Sequence, residues 1–536
     1  MEISLSGILF VVSVTFSFLL LRTSLQWSQQ ASYRPERFFA RVLRYPSGLI
    51  FSTRSFLIGI SVTLLVSSAF CLNDSQVRII LIALLSVVMI AASSRINQLN
   101  KNEKKPFVYT SRATRLFAVA SLISLALLGT ALENLSFEKA GIAAAFLALL
   151  GPFILWITLF LVKPLEDQIN RYYLKDAERQ RKKFDDLLVL GITGSYGKTT
   201  TKHVVQEVVS QKYISLMTPG SVNTDLGLAR IIRQELKPLH KIFVAEMGAR
   251  QIGDIRLCCD VAQPTWGILT CIGTAHLETF GSQQNIVTGK SELVEALPEN
   301  GKCFLNADDP FTPEIEKKAK CPVITFGVEN SHANYSAFEI EVSEHGSSFS
   351  IGGKSVSESL RFQTTLLGCH NIRDIVSAIA VGAELGIDWA RIRQAVRAMH
   401  PVQHRLQLMD KGNGIVVIDD SFNSNPSGFS AALEVLSSFQ NKRKFLVTPG
   451  MIELGDQEYT LNEEIGKKAA QCCDFVVLVG NEKRVAPLIS GLEKGGFSKE
   501  ALFTVPSLKD AQHQLQKMQR PGDVILFEND LPDIYG

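Results

Sequence analysis

A glycine-rich run with one lysine and three threonines, GITGSYGKTTTK from position 191, has residue types that could bind phosphate. It follows the apolar run LLVL and precedes HVVQEVVS, so strand, turn and helix come in the order a phosphate-binding loop needs. Gly194 and Gly197 would let backbone N–H groups approach phosphate oxygens. Lys198 would reach the outer phosphates, and the Thr199 hydroxyl would bind Mg²⁺. Ile192 stands where the usual pattern has its first glycine, yet the segment predicts a nucleotide site.

Three more side chains stand where strands or helices could bring them to this loop. Glu246 ends the apolar strand KIFVAEMGAR, His276 follows the strand in WGILTCIGTAHLETFGS, and Lys290 lies on the helix VTGKSELVEAL. A carboxylate at a strand end can meet the metal of a nucleotide site. Taken alone, each residue is more simply explained without a site: Glu246 as a solvated carboxylate, His276 as a surface histidine and Lys290 as a lysine on a polar helix face.

The helices and strands that must position these residues follow a pattern that predicts an α/β fold. After position 402 the apolar runs GIVVIDD, KFLVTPG, FVVLVG and DVILFE alternate with helices starting near Gly428 and Asn462, which indicates a doubly wound, Rossmann-like domain. The segment FEIEVSEHGSSFSIGG predicts a small antiparallel hairpin beside the central sheet. The pattern GxGxxG is missing, so a nicotinamide cofactor is not indicated.

The excess of apolar residues, 46% of the chain, lies before position 165. Five stretches, 3–21, 56–72, 77–92, 116–132 and 140–162, approach the ~20 residues that span a bilayer. The loops after the first and third stretches are rich in arginine and lysine, whereas the other two connections are not. This pattern predicts five transmembrane helices in region 1–163, with the N-terminus outside and everything after Val162 in the cytoplasm.

Alternatives to this membrane reading stay open. The marginal middle stretches could form a buried hairpin of core helices. The first stretch lacks a basic start and a small-residue cleavage site, which favours an uncleaved anchor over a signal peptide. Segment 164–186 reads as an amphipathic connecting helix on the bilayer surface or as a plain solvated helix.

Charge and cysteine content exclude some classes of function. A net charge of +3 and the lack of a basic, aromatic-rich run argue against a nucleic-acid partner. The nine cysteines form no CxxC pair and no repeated spacing, which favours free thiols in a reducing compartment.

The order of short motifs resembles one enzyme family. TGSYGKTT, EMGA, AHLETFGS, GKSEL, LNADDP, GCHNIRD, HRLQ and DDSFNSNPSG occur here as in the Mur ligases, the cytoplasmic ATP-dependent enzymes that add amino acids to the peptidoglycan stem peptide. The similarity is greatest to the D-alanyl-D-alanine-adding members and covers about 187–480. It implies a P-loop central domain at 187–401 and a C-terminal domain at 402–536, with the membrane region in place of the usual UDP-binding domain.

The resemblance also implies chemistry. Such an enzyme transfers the γ-phosphate of ATP to a substrate carboxylate, and an incoming amine then attacks the acyl phosphate to give an amide, ADP and phosphate. The implied partners are an envelope peptide precursor and an amino acid or dipeptide, at the cytoplasmic face of a bacterial membrane. The implied cofactors are ATP, two Mg²⁺ ions and CO₂, the last as a carbamate on Lys290.

Each implied role falls on a numbered residue. The implied catalytic residues are Lys198, His276 and Lys290. The implied ATP-binding residues are Gly194, Gly197, Lys198, Thr199, Thr200, Asn371, Arg405 and Asp420, and the implied metal ligands are Thr199, Glu246, His276 and Lys290. The implied substrate-facing residues are Asn223, Asn423 and Asn425. Because Arg405 and Asp420 follow a predicted hinge near Pro401, domain closure would complete the site.

Departures from the family pattern leave the substrates open. Asp374 stands where the family usually has a second asparagine, and Glu528, Asp530 and Asp533 are acidic where related ligases are basic. The incoming amine could therefore differ from D-alanyl-D-alanine, as in a poly-amino-acid or capsule ligase. From other classes, a membrane P-loop ATPase would need intramembrane charges that the five stretches essentially lack, and a catalytically dead scaffold would not need the retained site residues.

Overall fold

The structure of the protein is a computed structural model. It describes residues 2–31, 33–44, 107–135, 140, 143, 146–147, 150–343, 346–410, 414–421, 424–452 and 454–529. The chain divides into two compact units, Met1–Arg171 and Tyr172–Gly536. The predicted division at 163, 186 and 401 is not tested by this finding and stays a prediction.

The first unit is helical where it is described. Its helices are α1 (Glu2–Gln30), α2 (Pro35–Arg44), α3 (Ser111–Asn134) and α4 (Gly151–Arg181). Leu20, Leu116 and Leu155 are among the side chains of its apolar core. The buried Glu166 carboxylate of α4 joins this helix to α3: Arg115 donates to both of its oxygens, at 2.7 and 2.9 Å, and Arg112 lies 3.6 Å from it.

The predicted membrane spans are only partly covered by the described residues. Stretches 56–72 and 77–92 lie outside them, and the fifth stretch, 140–162, lies partly outside them. Several side chains of the first stretch are also not described. By length and composition alone, α3 is the one helix within the described ranges that could cross a membrane. The five-span region therefore stays a prediction. Helix α4 runs without a break through Pro164, so no helix end marks the predicted border between span and connecting helix, which stays a prediction.

The second unit opens with a nine-stranded sheet, counted over the described residues. Its strands are β1 (Leu188–Thr193), β2 (Ser215–Met217), β3 (Ile242–Glu246), β4 (Trp266–Leu269), β5 (Lys302–Asn306), β6 (Val323–Gly327), β7 (Tyr335–Ser343), β8 (Gly346–Gly352) and β9 (Leu360–Thr364). Their order is β2-β3-β1-β4-β5-β6-β7-β8-β9. Strands β1 to β7 pair in parallel, and the β7–β8 and β8–β9 pairs are antiparallel. The predicted hairpin is thus present, with β9 as an additional strand.

Helices cover both faces of the parallel strands. Strands that are buried on both faces have apolar residues along their whole length, as these do. These helices are α5 (Lys198–Val209), α6 (Asp225–Gln234), α7 (Asp254–Ala262), α8 (Leu277–Phe280), α9 (Gln283–Ala296), α10 (Thr312–Glu316), α11 (Cys369–Glu384) and α12 (Trp389–Ala398). Two apolar clusters form the core; Val204, Ile268 and Ile375 belong to one, and Val189 and Leu293 to the other. The carboxyl ends of the parallel strands therefore form one edge on which side chains can converge.

The last part of the chain forms a six-stranded sheet, again counted over the described residues. It contains β10 (Gln407–Asp410), β11 (Val416–Asp420), β12 (Lys444–Thr448), β13 (Phe475–Val479), β14 (Leu502–Val505) and β15 (Val524–Glu528), in the order β10-β11-β15-β12-β13-β14. Its helices are α13 (Pro426–Ser438), α14 (Glu458–Cys472), α15 (Glu482–Lys494) and α16 (Leu508–Met518), with short 3₁₀ turns at Gly455–Gln457 and Lys499–Ala501. This part confirms the predicted doubly wound α/β architecture.

Candidate nucleotide-binding site

The predicted phosphate loop lies between β1 and α5, at the carboxyl edge of the parallel strands. Gly194 has φ +150° and Gly197 has φ +78°, a region that favours glycine. A Cβ at Gly194 would lie 1.9 Å from the Thr270 hydroxyl oxygen, and one at Gly197 would lie 2.9 Å from an Asp374 carboxyl oxygen. Neither position has room for a side chain. The loop is followed by the N-terminus of α5, whose unpaired N–H groups suit an anion.

Lys198 folds back over this loop. Its ammonium donates to the carbonyl oxygens of Gly194 at 2.7 Å and Ser195 at 3.1 Å. Burial lowers the pKa of Lys198, and the nearby Glu246 carboxylate opposes that shift. Thr200 is buried in the first turn of the same helix. The lysine predicted to contact phosphate is therefore held at the loop by backbone carbonyls.

Glu246 lies at the carboxyl end of β3, beside Ile192 of β1, and is the centre of a polar cluster. Its Oε2 accepts hydrogen bonds from Thr199 Oγ1 and Lys202 Nζ, both at 3.1 Å, and its Oε1 accepts one from Asn223 Nδ2 at 3.0 Å. The structure thus brings together three residues predicted separately. Lys202 was not predicted. Its spacing of four residues from Lys198 puts it on the same face of α5, which was the available signal.

His276 precedes the short helix α8, and Lys290 lies within the next helix, α9. His276 is half-buried and has a left-handed backbone, φ +62°, at the start of α8. The Lys290 side chain is buried on α9, with Nζ 5.8 Å from the centre of the Phe280 ring. Burial lowers the pKa of Lys290 well below its ordinary value, and the positive charge of Lys198 adds to that shift. Lys290 is therefore a lysine for which the uncharged amine is favoured.

The oxygen atoms at this edge fit one Mg²⁺. Thr199 and Glu246 place a hydroxyl and a carboxylate oxygen 3.1 Å apart, and Mg²⁺ prefers such oxygen ligands. Within the described residues, no three His, Cys, Asp or Glu side chains are grouped as a metal site. The roles of His276 and Lys290 at a second ion stay predictions.

Helix α11 carries Asn371, which is predicted to contact the adenine base of ATP, and Asp374, which stands where the family usually has an asparagine. Asn371 is buried, and its amide donates to the Leu367 carbonyl at 2.8 Å. Its contact with a base stays a prediction. Asp374 lies one turn further along, against Gly197 of the phosphate loop. Burial raises the pKa of Asp374 to about 7, against the opposing charge of Arg373.

Arg405 lies among carboxyl groups from both sheets. Burial lowers the pKa of Arg405, whereas the carboxylates of Asp420, Glu246, Asp374 and Glu528 raise it. Asp420 accepts a hydrogen bond from the Leu406 backbone N–H at 3.1 Å. Arg405 is thus near enough to Glu246 and Asp374 to feel their charges, and the ATP-binding roles of Arg405 and Asp420 stay predictions.

Two asparagines of the run DDSFNSNP, Asn423 and Asn425, were predicted to face the substrate. Asn423 lies outside the described residues. Asn425 is the N-cap of α13, where its Oδ1 accepts a hydrogen bond from the Gly428 N–H at 2.9 Å. This structural role accounts for the residue type without a ligand, so the substrate role of Asn425 stays a prediction.

Known protein families and relatives match most of the second unit, Tyr172–Gly536. A family model for the Mur ligase middle domain matches residues 192–382, and one for the Mur ligase glutamate ligase domain matches residues 404–528. The UDP-N-acetylmuramoyl-tripeptide–D-alanyl-D-alanine ligase of Bacillus subtilis is 30% identical over 341 residues, 63% of this chain and 72% of that protein. The Synechocystis ligase of the same name is 28% identical over 76% of this chain and 86% of its own.

Solved structures give the same result. MurF from Acinetobacter baumannii superposes with a TM-score of 0.61 at 27% identity, covering 67% of this chain and 77% of that one. MurF from Thermotoga maritima, in complex with ADP, gives a TM-score of 0.60 at 26% identity, covering 67% and 80%. The similarity therefore includes both the sequence motifs and the arrangement of the two α/β sheets.

Proposed function

Because the chain belongs to the Mur ligase family and is an ATP-dependent, ADP-forming ligase, we propose that it joins D-alanyl-D-alanine to the peptide of a UDP-N-acetylmuramoyl tripeptide. These substrates are those in the names of its relatives. The observation that carries the proposal is the convergence of Lys198, Thr199 and Glu246 at the phosphate loop. The reaction would serve peptidoglycan synthesis.

The site is suited to activating a carboxylate. A carboxylate resists attack by an amine because its charge repels the nucleophile, and transfer of the γ-phosphate removes that charge and creates a leaving group. Lys198 and Arg405 would neutralise charge on the transferred phosphoryl group, while the glycine loop orients it through backbone N–H groups. Thr199 and Glu246 would hold Mg²⁺, which screens the phosphate charges when bound.

Lys290 is proposed to act as a carbamate. Carbamate formation needs an uncharged amine, and the burial that lowers the pKa of Lys290 favours that form. Reaction with CO₂ replaces a group that repels cations with an anion, which would support His276 at a second Mg²⁺.

We further propose a location at the cytoplasmic face of a bacterial membrane. The apolar N-terminal stretches and the arginine-rich loops between them support it. The bilayer partner would tether the ligase near envelope precursors.

The test is a reaction of full-length protein with Mg-ATP, bicarbonate, the UDP-N-acetylmuramoyl tripeptide and D-alanyl-D-alanine, followed by ADP release and product mass. A pentapeptide product is expected, and Lys198→Met should lower its rate at least about 100-fold. The exposed Lys237 provides the control Lys237→Met, which should leave the rate unchanged. ATP hydrolysis without a new amide contradicts the proposal, and a product made of repeated amino acids would favour a poly-amino-acid ligase.

The carbamate has its own test in the same assay. Lys290→Ala should abolish activity, and short carboxylic acids such as formate should partly restore it by supplying the missing anion. The exposed Lys317, which follows α10, provides the control Lys317→Ala for loss of a lysine. Full activity of Lys290→Ala without added acid would refute the carbamate.

A further inference from the structure

Lys202 of α5 is a buried cation that the proposed reaction does not use. Its side chain has no exposed surface, and its Nζ donates to Glu246 Oε2 at 3.1 Å and to the Gly220 carbonyl oxygen. Lys198, one turn earlier on the same helix, donates instead to carbonyl oxygens of the phosphate loop. The two lysines of α5 therefore have different partners, and only Lys202 is hydrogen-bonded to the carboxylate.

The Glu246 carboxylate is held at both of its oxygens. Oε2 accepts hydrogen bonds from Thr199 and Lys202, and Oε1 accepts one from Asn223. Glu246 is only 1% exposed, so these donors, rather than water, fix its orientation. The Thr199 and Asn223 donors are neutral. Among the hydrogen-bond donors to this carboxylate in the described part of the chain, Lys202 is thus the one that cancels its charge.

A second cation faces the same carboxylate. Lys198 is near enough to Glu246 for the carboxylate to oppose the fall in the lysine pKa. Arg405 is also influenced by Glu246, but Asp420 affects it more strongly. Around Glu246 itself, two lysine ammonium groups therefore face one carboxylate. A divalent cation gains little from a carboxylate whose charge is already cancelled by its neighbours.

Stability alone does not account for this ion pair. Burying Lys202 and Glu246 removes both charges from water, and their attraction only partly offsets that cost. Apolar residues of similar volume are often as stable or more stable at such positions. Lys202 also lacks an exposed surface from which it could contact a phosphate group. Its charge therefore acts on the Glu246 carboxylate.

We propose that Lys202 is a positioning residue that makes the binding of a divalent cation depend on nucleotide. Its hydrogen bond fixes the orientation of the Glu246 carboxylate, and its charge leaves too little negative charge there to hold free Mg²⁺. Phosphate oxygens of a bound nucleotide would supply the missing charge. The inference rests on the proposed function, in which Glu246 binds Mg²⁺, and adds to it the condition under which the ion binds.

Mn²⁺ is the probe for this role, because it takes the same oxygen ligands as Mg²⁺ and its binding is measured by water-proton relaxation. With full-length protein at pH 8 and no nucleotide, Lys202→Met should bind Mn²⁺ at least about tenfold more tightly than the unaltered protein. Saturating ADP should lower the Kd of the unaltered protein for Mn²⁺ at least about tenfold. The same addition should change the Kd of Lys202→Met much less.

Further variants separate the charge of Lys202 from its hydrogen bond. Lys202→Gln is uncharged, but its amide can still donate to Glu246, so it should gain Mn²⁺ affinity as Lys202→Met does. It also replaces the methionine variant if that variant does not fold. Adding Glu246→Gln to either variant should remove the gain, which locates the ion at Glu246. Lys237→Met, at an exposed position, is the control and should bind Mn²⁺ as the unaltered protein does.

The remaining outcomes count against one proposal or the other. Unchanged Mn²⁺ affinity in both neutral variants would overturn the inference, and so would a gain confined to Lys202→Met when Lys202→Gln is also folded. Failure of both variants to fold, with and without Mn²⁺, would assign Lys202 to structure and overturn it as well. Unaltered protein that binds no Mn²⁺ even with ADP would instead count against the proposed function.

Discussion

The Asp374 carboxyl lies beside Gly197 and closes one side of the phosphate loop. Burial raises its pKa from 3.8 to about 7. The folded protein therefore binds this proton more tightly than the unfolded chain does. The stability associated with the protonated form is fully present below about pH 4 and is lost as pH rises through about 7.

Asp374→Asn should remove this pH dependence, because the amide resembles the protonated carboxyl. We expect the free energy of unfolding of Asp374→Asn, relative to that of the unaltered protein, to be higher near pH 8.5 than near pH 5 by at least about 1 kcal/mol. Denaturant titrations at both pH values measure the difference. Asp260→Asn, at an exposed position, is the control and should show no such gap. An equal effect at both pH values would contradict the assigned titration.

The same residue should affect nucleotide affinity. An ionised Asp374 would repel phosphate groups at the loop, whereas the protonated form would not. The KM for ATP of the unaltered protein should therefore rise between about pH 6 and pH 8, and that of Asp374→Asn should stay nearly constant. Initial rates at varied ATP measure this, and parallel pH profiles would show that Asp374 does not face the phosphates.

Some residues of the site could be predicted from the sequence and others could not. The glycines, Lys198 and Thr199 belong to a local pattern whose geometry follows from chain order. The pairing of Lys202 with Glu246 joins α5 to β3 across 44 positions, and the Asp420–Glu528 pair joins strands more than 100 positions apart. Such pairs depend on sheet order, which neither periodicity nor spacing specifies.

Helix α13 shows how an element can account for a residue that looks functional. Asn425 caps this helix through the Gly428 N–H, and Pro426 occupies its first turn. An N-cap satisfies an N–H that would otherwise be unpaired.

Asn425→Ala should lower the free energy of unfolding by about 1 kcal/mol, whereas Asn425→Ser should be close to neutral, because serine also caps helices. Thermal or denaturant unfolding of both variants measures the cap. Ligase rates of the serine variant then test the predicted substrate role. If Asn425→Ser is stable but inactive, the side chain contacts substrate as well as capping the helix.

The elements that were missed are short or peripheral. Strands β10 and β14 have four residues each and lie at the two edges of their sheet. Edge strands pair on one side only, so their sequences need not be strongly apolar. The long buried strands, such as β12 and β15, carry continuous apolar runs and were predicted.

At the scale of the whole molecule, the chain combines a ligase unit with an apolar N-terminal region. The first unit ends near Arg171, and α3 is the helix in its described part with the length and composition of a span. The arginine-rich loops after stretches 3–21 and 77–92 predict that both loops, and the ligase unit with them, lie in the cytoplasm. Substrates with a UDP group would meet the enzyme on that side.

A reporter fused after residue 536 of the full chain should therefore be active in the cytoplasm and inactive outside it. The protein should also stay in the membrane fraction after an alkaline wash, because several apolar helices bind the bilayer far more strongly than surface charge does. A reporter inserted at connection 73–76, which is predicted to lie outside, is the matched control and should give the opposite signal. A C-terminal reporter active outside the cytoplasm would overturn the five-span topology, and release of the full chain by the wash would overturn the membrane location itself.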